Sequence, residues 1–361
     1  MLKIIHAADL HLDSPFAGLS PEQAALRREE LRSLPDRLAD LANEEQADLV
    51  LLAGDLLDGQ RIYRETAEML ARALGRIQAN VFISPGNHDP YNAASPYTLP
   101  IWPENVHIFT SPLPEAVPLP ELNCTVYGAA FTGEQREDSP LAQFTAADNG
   151  LNLMVLHGNT QGRDYAPISP SDIAASGLDY LALGHIHQHS GLQKSGATFW
   201  AYPGCPEGRG FDELDDKGIL ILNIEKGNVQ ARFHPLSLRR YRIVEVDLTG
   251  CSDPLAQITA VLPGQTSSDL IRIRLTGEFP MDARTISMLE TALSPRFHAL
   301  ELRDHTRTPR DMWARSEEDS LTGLFLRTMA ARYSETPEDE TLNLAVRFGL
   351  AALENGEDVS P

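Results

Sequence analysis

Cysteine is scarce. Cys124, Cys205 and Cys251 are the three in 361 residues, and their wide spacing excludes a disulfide framework and a CxxC metal site. A reducing cytoplasm suits such a chain. Long apolar runs are also missing, so no segment reads as a membrane span. The N-terminus, Met1-Leu2-Lys3-Ile4-Ile5-His6, passes straight into a strand pattern. It lacks the apolar core and small-residue cleavage site of a signal peptide. Positive charge is short, with 30 Lys and Arg against 51 Asp and Glu, a net −21. A chain this negative repels nucleic acid on average. The excess is uneven: residues 1–225 carry 14 basic against 31 acidic residues, and residues 226–361 carry 16 against 20. Bound metal cations would neutralise part of the surplus in the first region.

The length exceeds one typical core and predicts two domains and a tail. The first region alternates strand and helix. Leu2–Ala7, Asp48–Ala53 and Asn80–Ser84 read as short buried strands. Between them lie a helix from Pro21 to about Glu45, capped by Ser20 with Gln23 three residues on, and a second helix over Tyr63–Gln78. This is a βαβαβ pattern with parallel strands. Proline-rich turns fill Pro96–Pro120. Further strands are expected at Asn123–Ala129, Leu151–Leu156, Tyr180–Leu183, Thr198–Tyr202, Gly218–Ile224 and Gln230–His234. A small α/β unit follows: strands at Tyr241–Leu248, Leu270–Thr276 and His298–Leu302, with helices at Asp253–Leu262 and Asp282–Leu293. A polar stretch leads to helices at Ser320–Tyr333 and Pro337–Leu353, and the end from Glu354 is expected to fray. The expected division is 1–237, 238–304 and 305–361.

Polar clusters sit just after the predicted strands. They are Asp9-Leu10-His11, Gly54-Asp55-Leu56-Leu57-Asp58, Gly86-Asn87-His88-Asp89, His157-Gly158-Asn159 and Gly184-His185-Ile186-His187. Parallel strands deliver their C-terminal ends to one sheet edge, where ligands bind. Taken singly, each cluster is an ordinary turn, because Asn and Asp favour turns for backbone reasons. Taken together, five groups of Asp, Asn and His converge on one edge. Carboxylate, imidazole and amide oxygen suit Mn, Fe or Zn better than Mg, and the lack of thiolate argues against a structural zinc. The pattern fits a two-metal phosphoesterase in which activated hydroxide attacks in line, with Asp55 as the natural bridging carboxylate.

Asp-x-His, Gly-Asp-x-x-Asp, Gly-Asn-His-Asp, His-Gly and Gly-His-x-His, in this order, resemble the calcineurin-like metallophosphoesterases. The stretches His6-Ala7-Ala8-Asp9-Leu10-His11-Leu12-Asp13-Ser14-Pro15-Phe16 and Tyr202-Pro203-Gly204-Cys205-Pro206-Glu207-Gly208-Arg209 are similar to the SbcD/YhaO-type DNA repair exonucleases. The resemblance covers about Met1 to Asp216. It implies an α/β fold: a two-sheet αββα metallophosphoesterase core, a small α/β capping domain and C-terminal helices. It also implies ligand sets, with Asp9, His11, Asp55 and His187 on the first metal and Asp55, Asn87, His157 and His185 on the second. His88 would contact the scissile phosphate or protonate the leaving oxygen, oriented by Asp89. Arg209 and Arg163 follow metal motifs and are candidates to meet phosphates. Cys205 reads as packing, His189 as a surface residue and His6 as a satisfied core histidine.

The expected activity is a Mn-dependent DNA exonuclease in repair, a cytoplasmic hydrolase of ester bonds. The alternative is a cyclic-nucleotide or nucleotide phosphodiesterase on the same site. A non-catalytic subunit with a vestigial site is disfavoured, because every ligand type is present. The implied partners are DNA and an SMC/Rad50-like coiled-coil ATPase docking on the helices of Ser320–Leu353, or those helices pack on their own domain. A homodimer is implied too, with Arg61–Leu74 as a candidate contributor. Arg239, Arg240 and Arg242, with Arg303, Arg307, Arg310 and Arg315, form at most a modest phosphate track.

Overall fold

The structure, a computed structural model, describes residues 1–59, 63–147, 150–264, 268–307, 313, 315–333 and 340–353. Arg61, Arg310, the expected helix start at Pro337 and the end 354–361 lie outside the described residues.

The chain runs β1 (Leu2–Ala7), α1 (Pro21–Arg32), α2 (Leu34–Glu44), β2 (Leu49–Leu52), α3 (Arg64–Gly75), β3 (Asn80–Ile83), β4 (Val106–Ile108), β5 (Glu115–Leu119) and β6 (Cys124–Gly128). It continues through β7 (Leu151–His157), α4 (Pro170–Ala175), β8 (Tyr180–Gly184), β9 (Gln193–Ser195), β10 (Thr198–Ala201), β11 (Gly218–Glu225) and β12 (Asn228–Pro235). The last elements are β13 (Tyr241–Asp247), α5 (Pro254–Val261), β14 (Leu270–Thr276), α6 (Ala283–Leu293), β15 (Ala299–Asp304), α7 (Leu321–Tyr333) and α8 (Glu340–Leu353).

Two six-stranded sheets form the core, in the orders β12-β11-β1-β2-β3-β4 and β5-β6-β7-β8-β10-β9. The pairs β1–β2, β2–β3 and β3–β4 are parallel, as are β6–β7, β7–β8 and β8–β10. The antiparallel strands β11 and β12 extend the first sheet beside β1. The period-2 alternation of strand side chains explains the layering. Ile5, Ala7, Val50, Leu52, Val81 and Ile83 face one way and pack on Leu31, Leu38, Leu70 and Leu74 of the first three helices. Ile4, Leu49, Leu51 and Phe82 face the other way and meet Val126, Leu153, Val155 and Ala182 of the second sheet. Met154, Leu156, Leu181 and Leu183 then cover Ile173 of α4. The fold is the expected αββα arrangement.

The N-terminus of α1 carries the expected capping box between Ser20 and Gln23. In place of the single helix expected to reach Glu45, two are found. Pro35 lacks the N–H that a continuous helix would use, so the chain breaks at Ser33, whose hydroxyl caps Glu30 O at 2.6 Å. The proline-rich stretch also yields β4 and β5, short pieces recruited by neighbouring strands.

The side chain of Arg27 on α1 is fully buried. It donates to Glu207 (2.7 Å), Glu30 (2.6 Å) and Gly208 O (2.9 Å) and lies over the Phe16 ring. Removing one partner of a buried pair strands the other charge. Arg27→Met is expected to cost about 3–5 kcal/mol, read from urea unfolding. A change below about 1 kcal/mol would contradict a tightly paired cluster.

The chain divides into two compact units. One comprises Met1–Val244, Pro263–Ile273 and Leu293–Glu301, and the other Glu245–Leu262, Arg274–Ala292 and Leu302–Pro361. The small sheet has the order β13-β14-β15. In the second unit, α7 and α8 pack through Leu326, Met329, Val346 and Leu350, while Leu321 and Leu324 stay exposed. Among the described residues no helix is long and apolar enough to cross a membrane.

Candidate metal centre

The ends of β1, β2, β3, β7 and β8 bring their polar clusters to one edge, between the two sheets. The turn after β1 is tied to the turn after β2 by Asp9 N–H to Gly54 O (3.0 Å) and His11 N–H to Asp55 O (2.9 Å). Asp9, His11, Asp55 and His185 all have positive φ, at 55°, 45°, 51° and 107°. Non-glycine residues adopt such angles at a cost and cluster at functional sites when they do. The close approach of the turns requires glycine. A Cβ on Gly54 would stand 2.6 Å from His157 Nδ1, and one on Gly184 would overlap Ala53 O.

One group of donors joins Asp9, His11 and His187, and another joins Asp9, Asp55 and His157. The Nε2 atoms of His11 and His187 are 3.1 Å apart. His11 Nδ1 faces Asp58 Oδ1 at 2.9 Å, and His187 Nδ1 faces Glu213 Oε1 at 2.6 Å. An ionised carboxylate only accepts, so both Nδ1 atoms carry the proton and both Nε2 atoms turn lone pairs toward each other. The same holds on the other side. His157 Nδ1 donates to Ala53 O (2.8 Å), leaving Nε2 3.0 Å from Asn87 Oδ1 and 3.3 Å from Asp55 Oδ2. Asn87 Oδ1 also lies 3.2 Å from His185 Nδ1. Lone pairs aimed at lone pairs repel unless a cation or proton sits among them. The donor set of carboxylate, imidazole and amide oxygen therefore fits divalent ions.

The electrostatics agree. Burial lifts Asp9 to about 6 against the pull of His157 and His187. Burial works on Asp55 in the same direction, but His157 and the other imidazoles hold it below the usual carboxylate range. Burial would depress His157, yet the Asp55 carboxylate raises it to about 9. Burial lowers His11 and His185 to about 4 each.

His88 lies at the rim with its side chain 45% exposed, its Nδ1 3.7 Å from Asp58 Oδ1 and its backbone N–H on Asp55 Oδ1 at 2.9 Å. With Asn87 and Asp58 it lines a cleft of about 320 Å³, whose other walls are Gly59, Glu134, Gln135 and Tyr165. Asp89 does not orient His88 as expected. Its buried carboxylate accepts from the backbone N–H groups of Asp55, Leu56, Leu57 and Gly86 and from the Tyr97 hydroxyl. It pins the turns after β2 and β3 together, and the carboxylate beside His88 is Asp58. Arg209 is drawn in by Glu213 and Asp58 (2.9 and 3.4 Å). Arg163 is exposed on the loop after β7.

His189 is not the surface residue expected: it is half-buried, stacked on Phe233 and 3.1 Å from Tyr202 O. Cys205 is buried, and desolvation pushes its thiol well above the ordinary value. Glu213, Tyr165 and Lys217 carry no sequence signal beyond the four-residue spacing of Glu213 from Arg209. Tyr165 lies against the His185 ring (centroids 5.0 Å apart), and Lys217 Nζ donates to His187 O at 3.1 Å.

His6 ends β1 fully buried. Its Nε2 donates to Leu183 O (3.1 Å), and the Tyr180 hydroxyl donates to its Nδ1 (2.9 Å). Burial lowers it to about 3. Above pH 6.5 the ring is neutral in both folded and unfolded chains. Below 6.5 the unfolded chain takes up a proton that the folded chain refuses until about 3, so this group's stability is lost as pH falls through that window. Between pH 7 and pH 5 the loss is about 2 kcal/mol. Urea midpoints of wild type and His6→Asn should show a shallower acid slope in the variant. Equal slopes would contradict a neutral buried ring.

Residues 2–189 match the family model for calcineurin-like phosphoesterases. The chain belongs to this family. The calcineurin-like phosphoesterases work with a di-metal site, and the chain is a hydrolase acting on phosphodiester bonds. "Uncharacterized metallophosphoesterase YhaO" of Bacillus subtilis is 31% identical over 299 residues, 77% of this chain and 72% of that protein. "DNA double-strand break repair protein Mre11" of Aeropyrum pernix is 26% identical over 60% of this chain and 56% of its own length. An SbcCD nuclease subunit of Rhodobacter capsulatus is 24% identical over 84% of this chain and 86% of its own length.

Proposed function

We propose that the chain is a metal-dependent DNA nuclease subunit, with exonuclease action in DNA repair. The observation that carries this reading is similarity along most of the chain to a nuclease subunit of SbcCD, joined to a complete set of metal-ligand types at one sheet edge. In this reading Asp9, His11, Asp55 and His187 hold one ion, and Asp55, Asn87, His157 and His185 hold the other. Mn²⁺ suits the donor set best, with Fe or Zn next. A bound pair supplies Lewis acidity to the phosphoryl group and to the attacking water.

The chain's own groups do the rest. His88, at the rim of the cleft, holds a proton for the leaving oxygen. Asp58 is the carboxylate beside it, 3.7 Å from Nδ1. Asp89 fixes the backbone that presents both Asp55 and His88. Segment 238–304 serves as the capping domain, and the helices of 305–361 are the docking site for an SMC/Rad50-like ATPase.

DNA retention rests on that partner and on a homodimer, because four arginines of the candidate basic track are already engaged. Arg239 pairs with Glu30, Arg240 and Arg242 with Asp269, and Arg315 with Glu318. Those ion pairs leave little positive surface for a phosphate backbone. The acidity and the cleft volume favour a second reading, hydrolysis of a nucleotide or cyclic nucleotide, since about 320 Å³ is at the small-ligand end of pocket sizes.

The deciding experiment incubates the protein with Mn²⁺ and end-labelled linear DNA, single- and double-stranded, beside cyclic nucleotides and bis(p-nitrophenyl) phosphate. Shortened DNA is expected. Intact DNA with rapid hydrolysis of the cyclic nucleotides would overturn the nuclease reading in favour of the second.

A further inference from the structure

The loop after β10 closes a ring of side chains behind the metal donors. Its sequence, Gly208-Arg209-Gly210-Phe211-Asp212-Glu213, folds back on itself, with Arg209 N–H donating to Glu213 Oε2 at 2.8 Å and Glu213 N–H to Gly210 O at 3.0 Å. The Glu213 side chain is 5% exposed. Its Oε1 takes the His187 Nδ1 proton (2.6 Å) and Arg209 Nη2 (2.9 Å). The other end of the same guanidinium reaches Asp58 Oδ1 (3.4 Å), which takes the His11 Nδ1 proton (2.9 Å). His11 and His187 then meet through Nε2 atoms 3.1 Å apart. The circuit His11–Asp58–Arg209–Glu213–His187 joins the ends of β1, β2 and β8 to one loop.

We propose that Glu213 and Arg209 are positioning residues for one metal position, and that Arg209 is not a phosphate-binding residue. Each histidine has a dedicated carboxylate on the nitrogen facing away from the site. Such a carboxylate fixes the tautomer and ring angle and raises the basicity of the ligating nitrogen. Two carboxylates beside the acidic pair Asp9 and Asp55 would repel one another and drift. The planar fork of Arg209 bridges them and holds both in register, which a lysine point charge cannot do. A guanidinium committed to two carboxylates has few donors left for a phosphate.

This inference rests on the proposed reading of His11 and His187 as ligands, so the experiment includes both. Mn²⁺ is titrated calorimetrically into metal-stripped full chain without substrate, for wild type, His187→Ala, His11→Ala, Glu213→Gln, Glu213→Asp, Arg209→Met and Arg209→Lys. Thermal melts confirm folding, and the near-isosteric Glu213→Gln keeps the test alive if another variant fails to fold. Glu213→Gln and Arg209→Met are expected to weaken Mn²⁺ at one position by about 10- to 100-fold. Glu213→Asp should restore part of the affinity, and Arg209→Lys should restore little. KM for bis(p-nitrophenyl) phosphate at saturating Mn²⁺ should stay near wild type. If the histidine variants bind Mn²⁺ normally, the reading of the site fails. If they lose it while Glu213→Gln and Arg209→Met keep wild-type affinity, this inference alone is overturned. A raised KM in Arg209→Met with unchanged Mn²⁺ affinity would make Arg209 a substrate residue instead.

Discussion

Replacing His88 by alanine is expected to lower phosphodiester turnover by about 10²- to 10⁴-fold, the range of a lost general acid, with Mn²⁺ content unchanged. The position of the ring sets both halves of this expectation. Its backbone is held by Asp55 Oδ1, so the turn keeps its shape without the side chain. The ring packs edge-on to His11 (centroids 4.8 Å apart) yet stays open to the cleft beside the metal donors. Removing a proton donor acts on kcat and kcat/KM together. Steady-state kinetics on DNA, with bis(p-nitrophenyl) phosphate beside it and metal analysis of the same sample, checks it. A leaving group that needs no proton, such as nitrophenolate, should lose less than an alkoxide leaving group on DNA. Equal turnover on DNA by variant and wild type would remove His88 from the chemistry.

Asp55→Asn is expected to act through the ions. Asp55 is the one carboxylate placed in both proposed ligand sets. Its Oδ2 stands 3.3 Å from His157 Nε2 and 3.8 Å from His11 Nε2, while Oδ1 accepts from His88 N–H. The amide keeps the size and loses the charge. Ion binding should fall at both positions. Turnover should drop on the order of 10³-fold or more, because Lewis-acid stabilisation is worth several kcal/mol and each decade is about 1.4 kcal/mol. The buried carboxylates Asp9 and Asp89 lose a repelling neighbour, since the Asp55 charge helps raise both. The metal-free variant also loses the Asp55–His157 pairing that holds the carboxylate low and the imidazole high, so a thermal melt of the same preparation separates lost ion binding from lost folding. Calorimetry and kinetics on one preparation test both claims, and two ions bound at wild-type affinity would contradict a shared ligand.

The strand ends are legible because chemistry and period coincide there. Buried strands read as short apolar runs, and the residue after each run is where a parallel sheet presents its edge. That rule alone places Asp9, His11, Asp55, Asn87, His157, His185 and His187 near one another. Roles that depend on distant partners escape it. Asp89 follows His88 in sequence, but its acceptors face the turn of residues 55–57, more than thirty positions earlier. Glu213 reaches His187 across 26 positions, and Arg209 reaches Asp58 across 151. His189 is half-buried because the distant strand β12 supplies Phe233. The arginines of residues 239–242 read as a phosphate track in sequence, yet Glu30 and Asp269 stand against them in the fold. Local pattern also misses the break at Ser33, where Pro35 overrides good helix formers on both sides.

The most direct measurement is the number of Mn²⁺ ions bound per metal-stripped chain at neutral pH, followed calorimetrically while hydrolysis of bis(p-nitrophenyl) phosphate is read at each addition. Two ions are expected, with hydrolysis rising on the second and Asn87→Ala reducing the count to one. A single ion in wild type, or hydrolysis that persists in excess chelator, would contradict a two-ion centre at this sheet edge.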